Sequence, residues 1–165
     1  MKIPQSPFRD APGDGAARDA AAGPGEHAHT LRVRYADSDQ MGVAYYANYL
    51  VWFEVGRTEW LRARGYAYRD LEARGVFLPV TAAACRYLAP CRYDDLLRVL
   101  TRVAEVGRTR VRFDYRVLKE DGTPAAVGHT EHCFLSRDGR PVRIPADVHA
   151  VLAGGDPAPG ARAPA

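Results

Sequence analysis

Along "HTLRVRYA" (29–36), Leu31, Val33 and Tyr35 alternate with Thr30, Arg32 and Arg34, and a period of two predicts a half-buried strand. The period changes at Tyr46. Tyr46, Tyr49, Leu50, Phe53, Trp60 and Leu61 recur at helical spacing, while Val51, Trp52 and Val55 widen the stripe past one face. A band that broad predicts a helix surrounded on most sides, in which each fully buried large side chain contributes about 1.5–3 kcal/mol. Gly65 supplies a C-terminal stop, and "AYRDLEAR" (67–74) predicts a shorter helix ending at Gly75.

The remainder reads as strands. "TAAACRYLA" runs up to Pro90, and "DLLRVLTRVAEV" and "RTRVRFDYRVL" meet at Gly107, which suits a hairpin turn. In the second arm Val111, Phe113, Tyr115 and Val117 alternate with Arg110, Arg112, Asp114 and Arg116. "EDGT" (120–123) marks the next hairpin. "PAAVGHTEHCFLS" returns from it, "RDGRP" closes a turn, and "PADVHAVLA" predicts a last short helix with Pro145 in its first turn. A strand, a long helix, a short helix and then successive antiparallel strands define an α+β class, with one sheet curling around one very apolar helix. Such a sheet keeps edges and an outer face that one chain cannot cover. Edge-to-edge pairing of two copies is the expected remedy.

Composition narrows this picture. At 165 residues the chain fits one domain with a real core, and 47% hydrophobic with 26% charged residues is ordinary for a soluble globular protein. A formal charge of +3, from 23 basic and 20 acidic side chains, excludes wholesale coating of a polyanion but permits a local phosphate site. Cys85, Cys91 and Cys133 are odd in number and lack metal-ligand spacing, so free thiols in a reducing, cytoplasmic compartment are expected. No apolar run is long enough to cross a bilayer, and the N-terminus carries no signal-peptide core. Residues 1–28 and 154–165, rich in Pro, Gly and Ala, predict disordered tails flanking a domain at 29–153.

Candidate chemistry gathers in "VRYADSDQMGVAYYANYLVWFE" (33–54), where two aspartates precede a glycine and an aromatic run. Read locally, Asp37 and Asp39 are caps for the following turn. The longer stretch "YADSDQMGVAYYANYLVWFEVGRTEWLR" resembles hotdog-fold acyl-CoA thioesterases of the 4-hydroxybenzoyl-CoA thioesterase and Tol-Pal-associated (YbgC-like) type. Further matches run through "YLAPCRYDDLL", "VGRTRVRF" and "VGHTEHCFLSRDGRPVRIP", so that the resemblance covers nearly all of 30–150. It implies a hotdog fold of about five strands, homodimers or homotetramers, and hydrolysis of an acyl-CoA thioester without metal or bound cofactor.

By that resemblance Asp39 matches the catalytic aspartate, and the backbone N–H of Tyr46 matches the donor that polarises the carbonyl. Asp37 remains structural. Many relatives carry histidine where this chain has Tyr46. The chemistry needs little more: a thiolate whose parent thiol ionises near pKa ~8.5 leaves without strong acid help. What remains is a nucleophile or general base and an oxyanion donor at a helix start. Gly42, with no side chain, permits close approach of backbone and substrate. Arg108 and Arg110, beside the Gly107 turn, correspond to a basic loop that meets coenzyme A phosphates in relatives. Tyr45, Tyr46, Tyr49 and Trp52 suit a ring-lined acyl site for aromatic or short branched groups. Glu54 and Arg57, spaced i,i+3, are expected to pair along the helix, with positioning of a neighbouring subunit or the substrate carbonyl as the other role. His129 and His132 fall on opposite strand faces and cannot share a metal.

Three rivals are weighed. A dehalogenase-type phosphatase would place "DSD" after a fully apolar parallel strand, whereas Arg32 and Arg34 interrupt this one. A nucleic-acid binder would interleave aromatics with Arg98, Arg102, Arg112 and Arg116, but Phe113 and Tyr115 fall on the other face. A non-catalytic acyl-CoA-binding hotdog protein is disfavoured by the acid at 39. Carrier-protein thioesters stay open as substrates, because their phosphopantetheine arm is the same.

Overall fold

The computed structural model describes residues 22–23 and 25–154. In chain order the elements are β1 (His27–Arg32), a 3-10 turn (Tyr35–Asp37), α1 (Asn48–Arg62), α2 (Tyr68–Ala73), β2 (Val76–Phe77), β3 (Val80–Tyr87) and β4 (Leu96–Val106). They continue through β5 (Arg110–Lys119), β6 (Pro124–Cys133), β7 (Leu135–Ser136) and α3 (Ala146–Leu152). The main sheet has five antiparallel strands in the order β1-β4-β5-β6-β3. β2 and β7 form a separate two-stranded ribbon. The sheet packs on one central helix, the arrangement that the alternation and the switch of period predicted.

Aromatic stacking and two glycines seat α1 on the sheet. Phe53 stacks on Tyr115 with centroids 4.4 Å apart, and Trp60 meets Phe113 edge-on at 5.8 Å. A Cβ at Gly56 would lie 2.5 Å from Thr101 Oγ1 and 2.8 Å from Val99 Cγ1, and one at Gly128 would lie 2.3 Å from the Ala84 carbonyl oxygen. Glycine in a helix or strand interior costs about 0.5–1 kcal/mol in backbone entropy. Here that cost brings helix and sheet into contact. The helix ends as expected: Gly65 takes φ 82°, while Tyr66 N–H donates to Leu61 O and Gly65 N–H to Arg62 O, a Schellman closure.

Four expectations change. β1 starts at His27, inside the expected tail; Glu26 pairs with Arg116 at 2.7 Å and the Gly25 carbonyl accepts from Trp60 Nε1. The rest of the expected tails, residues 1–21, 24 and 155–165, lies outside the described residues. β1 also ends early, at Arg32. Val33 is buried but Tyr35 is 81% exposed, because the Asp37 carboxylate accepts from Arg34 N–H and turns the chain. The helix begins at Asn48, with Tyr46 in the preceding turn. Nor is it surrounded: Leu50 and Val51 are exposed, beside an edge strand β3 whose Val80, Thr81, Ala82 and Ala83 are exposed too.

The outer sheet face is not a field of free arginines. Arg102 and Arg112 both bond Asp114, at 2.8 and 3.2 Å, and Arg116 bonds Glu26. Among the described residues no helix is long and apolar enough to cross a membrane.

Candidate active site

The loop after β1 is ordered by its two aspartates, each in a different way. Asp37 is buried, and its carboxylate accepts from Arg34 Nη2 at 2.7 Å and from Arg34 N–H. The Arg34 guanidinium beside it holds that carboxyl below the usual range, against the opposing effect of burial. The Asp37 carbonyl accepts from Tyr45 N–H and from Asn48 Nδ2, both at 2.8 Å. This residue therefore fixes the start of α1 to the end of β1, as a structural aspartate should.

Asp39 closes the next turn. Its Oδ1 accepts from Met41 N–H at 2.8 Å and its carbonyl from Gly42 N–H at 3.0 Å. Gly42 sits at φ 71°, a conformation that L side chains adopt only with strain. The local reading of Asp39 as a turn cap is correct, but the cap uses one oxygen. Among the described residues nothing bonds Oδ2, and the side chain is half-exposed.

Between the two aspartates and α1, the N–H groups of Tyr45 and Asn48 are committed, to Asp37 O and Tyr45 O. Among the described residues no acceptor faces the Tyr46 N–H. The Tyr46 carbonyl accepts from Tyr87 Oη at 3.0 Å, and its ring lies 60% exposed against Tyr45. Tyr49 is a core residue, packed on Trp52 and Tyr87, whereas Tyr45 stays exposed. Burial pushes the Tyr87 hydroxyl up to about 12, so it holds its proton as the donor to Tyr46 O.

Two neighbours were not legible beforehand. Tyr87 comes from β3, and Arg92 Nη1 donates to Gly42 O at 3.2 Å while Ala44 N–H donates to Cys91 O. Asp39, Gly42, Tyr45 and Tyr46 thus share one end of the sheet. Arg108 and Arg110 do not join them. They flank the turn where Gly107 N–H donates to Arg110 O, at the far end of β4 from the Cys91–Asp95 segment. A strand of that length spans about 33 Å. One chain alone therefore keeps these arginines away from the aspartate.

Along α1 lies a cavity of about 210 Å³. Leu50, Val51, Val80 and Ala83 form its apolar walls and Arg57, Tyr115, Thr130 and His132 its polar floor. The Glu54–Arg57 pair does not form. Arg57 is only 8% exposed and turns inward, with Nη1 3.2 Å from His132 Nδ1. His132 is fully buried, and burial and then the Arg57 charge lower its pKa to about 4. His129, three residues back on the same strand, faces the other side.

The thiols are ordinary. Burial pushes Cys85 up to about 11 and raises Cys91, which removes any activation by the neighbouring arginines. Among the described residues no cluster of three or more His, Cys, Asp or Glu could hold a metal ion.

A five-stranded antiparallel sheet wrapped on one central helix defines a hotdog fold. The chain belongs to the thioesterase-like superfamily, whose profile matches residues 33–152. It is 33% identical over 123 residues to the acyl-CoA thioesterase YbgC of Haemophilus influenzae, covering 74% of this chain and 90% of that one. A crystal structure of DHNA-CoA thioesterase from Staphylococcus aureus superposes with a TM-score of 0.70 at 34% identity, over 72% of this chain and 80% of that one. A 4-hydroxybenzoyl CoA thioesterase mutant complexed with 4-hydroxybenzoyl CoA gives a TM-score of 0.70 at 21% identity, over 78% and 98%, a likeness of fold alone.

Proposed function

We propose that this chain hydrolyses acyl-CoA thioesters to free acid and coenzyme A. The reading rests on one observation: the uncommitted Asp39 Oδ2 and the unaccepted Tyr46 N–H belong to one loop whose ends are tied together through the Asp37 carbonyl. The thioester carbonyl oxygen takes the Tyr46 N–H, and the carboxylate attacks the carbon or deprotonates the attacking water. The peptide dipole is already oriented, so little reorganisation is needed as negative charge develops on that oxygen. Coenzyme A leaves as a thiolate; where the carboxylate has attacked, water then hydrolyses the mixed anhydride, releasing the free acid and restoring Asp39.

The relatives named as acyl-CoA thioesterases support this assignment. A second copy paired along the β3 edge would cover the exposed Leu50–Val51 stripe and complete the site. Phosphate binding by Arg108 and Arg110 then belongs to the assembled dimer or tetramer, because each chain holds its own arginines at the far end of its sheet. The test is hydrolysis of coenzyme A and carrier-protein thioesters by wild type and Asp39→Asn. The variant should keep its fold and lose about 10²–10⁴-fold in activity, the scale of a positioned acid–base group. Equal rates in the two proteins would defeat the assignment.

A further inference from the structure

We infer that the cavity under α1 is the acyl pocket and that Arg57 at its floor selects acyl groups ending in a carboxylate. This rests on the hydrolase reading of the same site and adds the substrate class. The first observation is the missing counter-ion. Among the described residues no carboxylate lies within ion-pair distance of Arg57; its contacts are His132 and the Tyr68 ring, 5.8 Å from its guanidinium carbon. Glu54, the other charged group at this cavity, stands exposed at the mouth and does not reach it. A buried cation without an anion is costly, and the open space beside it is where an anion fits.

The second observation is the direction of the hydrogen bonds. A guanidinium only donates, so at 3.2 Å from Arg57 Nη1 the His132 Nδ1 is the bare nitrogen of a neutral ring. The Leu78 carbonyl, 3.3 Å away, competes for the same nitrogen, and the buried guanidinium charge beside it favours the bare, accepting form. The proton sits on Nε2 and goes to Thr130 Oγ1 at 2.8 Å. Thr130 in turn donates to Tyr115 Oη at 2.7 Å. The tyrosine proton is left over. The floor therefore offers donors: the remaining guanidinium N–H groups and the Tyr115 hydroxyl. An apolar chain end leaves them unsatisfied, and a carboxylate satisfies both.

The third is reach. Arg57 lies nine residues into α1 from Asn48, about 14 Å along the axis. Tyr46 stands in the turn just before that start, and the Arg57 side chain leans back toward the helix start. That leaves about 10 Å, the span of a roughly six-carbon dicarboxylic acyl group with a hydrogen bond at each end. Leu50 and Val51 line the way.

The test is binding of two thioethers of coenzyme A, S-(5-carboxypentyl) and S-hexyl, to wild type, Arg57→Met and Arg57→Lys by calorimetry. Wild type should bind the carboxylated ligand about 10–100-fold tighter, as charge-assisted bonds imply. Arg57→Met should erase that preference, binding the two ligands alike, and Arg57→Lys should keep a reduced preference. Equal affinities in wild type, no binding of either ligand, or a preference untouched by both substitutions would overturn the inference. If Arg57→Met does not fold, the wild-type comparison and Arg57→Lys decide alone. Thioethers cannot be hydrolysed, so binding is read apart from turnover. Preference without hydrolysis of adipoyl- and hexanoyl-CoA would sink the hydrolase reading; hydrolysis without preference would sink only this one.

Discussion

His132 shows how a single residue ties the pocket to stability. Its folded pKa of about 4 lies below the ordinary 6.5, so on acidification the unfolded chain takes up the proton first. The contribution is complete above about pH 6.5 and is lost as pH falls toward 4, on the order of 3 kcal/mol in all. Asp37, whose pKa is lowered from 3.8, loses its share only below that value, so the two windows separate. Urea unfolding at pH 7.5 and pH 5.0 should show wild type weaker at the lower pH by about 2 kcal/mol. His132→Asn should remove most of that difference. An equal loss in the variant would assign the effect to other groups.

At the scale of elements, the contact of α1 with the sheet is set by what is absent. The Cβ missing from Gly128 would meet a backbone carbonyl and the Phe53 ring, neither of which can move without shifting strand or helix. Gly128→Ala is therefore expected to destabilise by about 1–3 kcal/mol or more. Gly56→Ala is expected to cost less, since better helix propensity partly offsets the clash with the Val99 and Thr101 side chains. Thermal unfolding of both variants checks the order, and Gly56→Ala less stable than Gly128→Ala would contradict this packing. Asp147 adds a second tie between elements: both its carboxylate oxygens accept from Arg74, at 2.8 and 3.0 Å, which fastens α3 to the end of α2.

For the whole molecule, the β3 edge, unpaired among the described residues and beside exposed Leu50 and Val51, is the surface we expect a second copy to cover. Ala82→Lys places a charge on that edge without touching the core. Sedimentation should show wild type as dimer or tetramer and this variant shifted to monomer, with hydrolysis falling in parallel. A monomeric wild type of full activity would refute the two-copy site.

What the sequence by itself determined is what neighbouring residues decide: alternation set the strands, the glycine and Asp-Gly turns set the hairpins, and the Asp37–Asp39 stretch set the capped loop. Each is a hydrogen-bond pattern closed within a few residues. Burial is different, because it depends on what packs across the sheet. That is why Arg57 forsakes Glu54 for a histidine 75 residues away, and why Arg108 and Arg110 end up a strand's length from Asp39. Only the tertiary structure decided those, since a side chain's partner is chosen by space and desolvation.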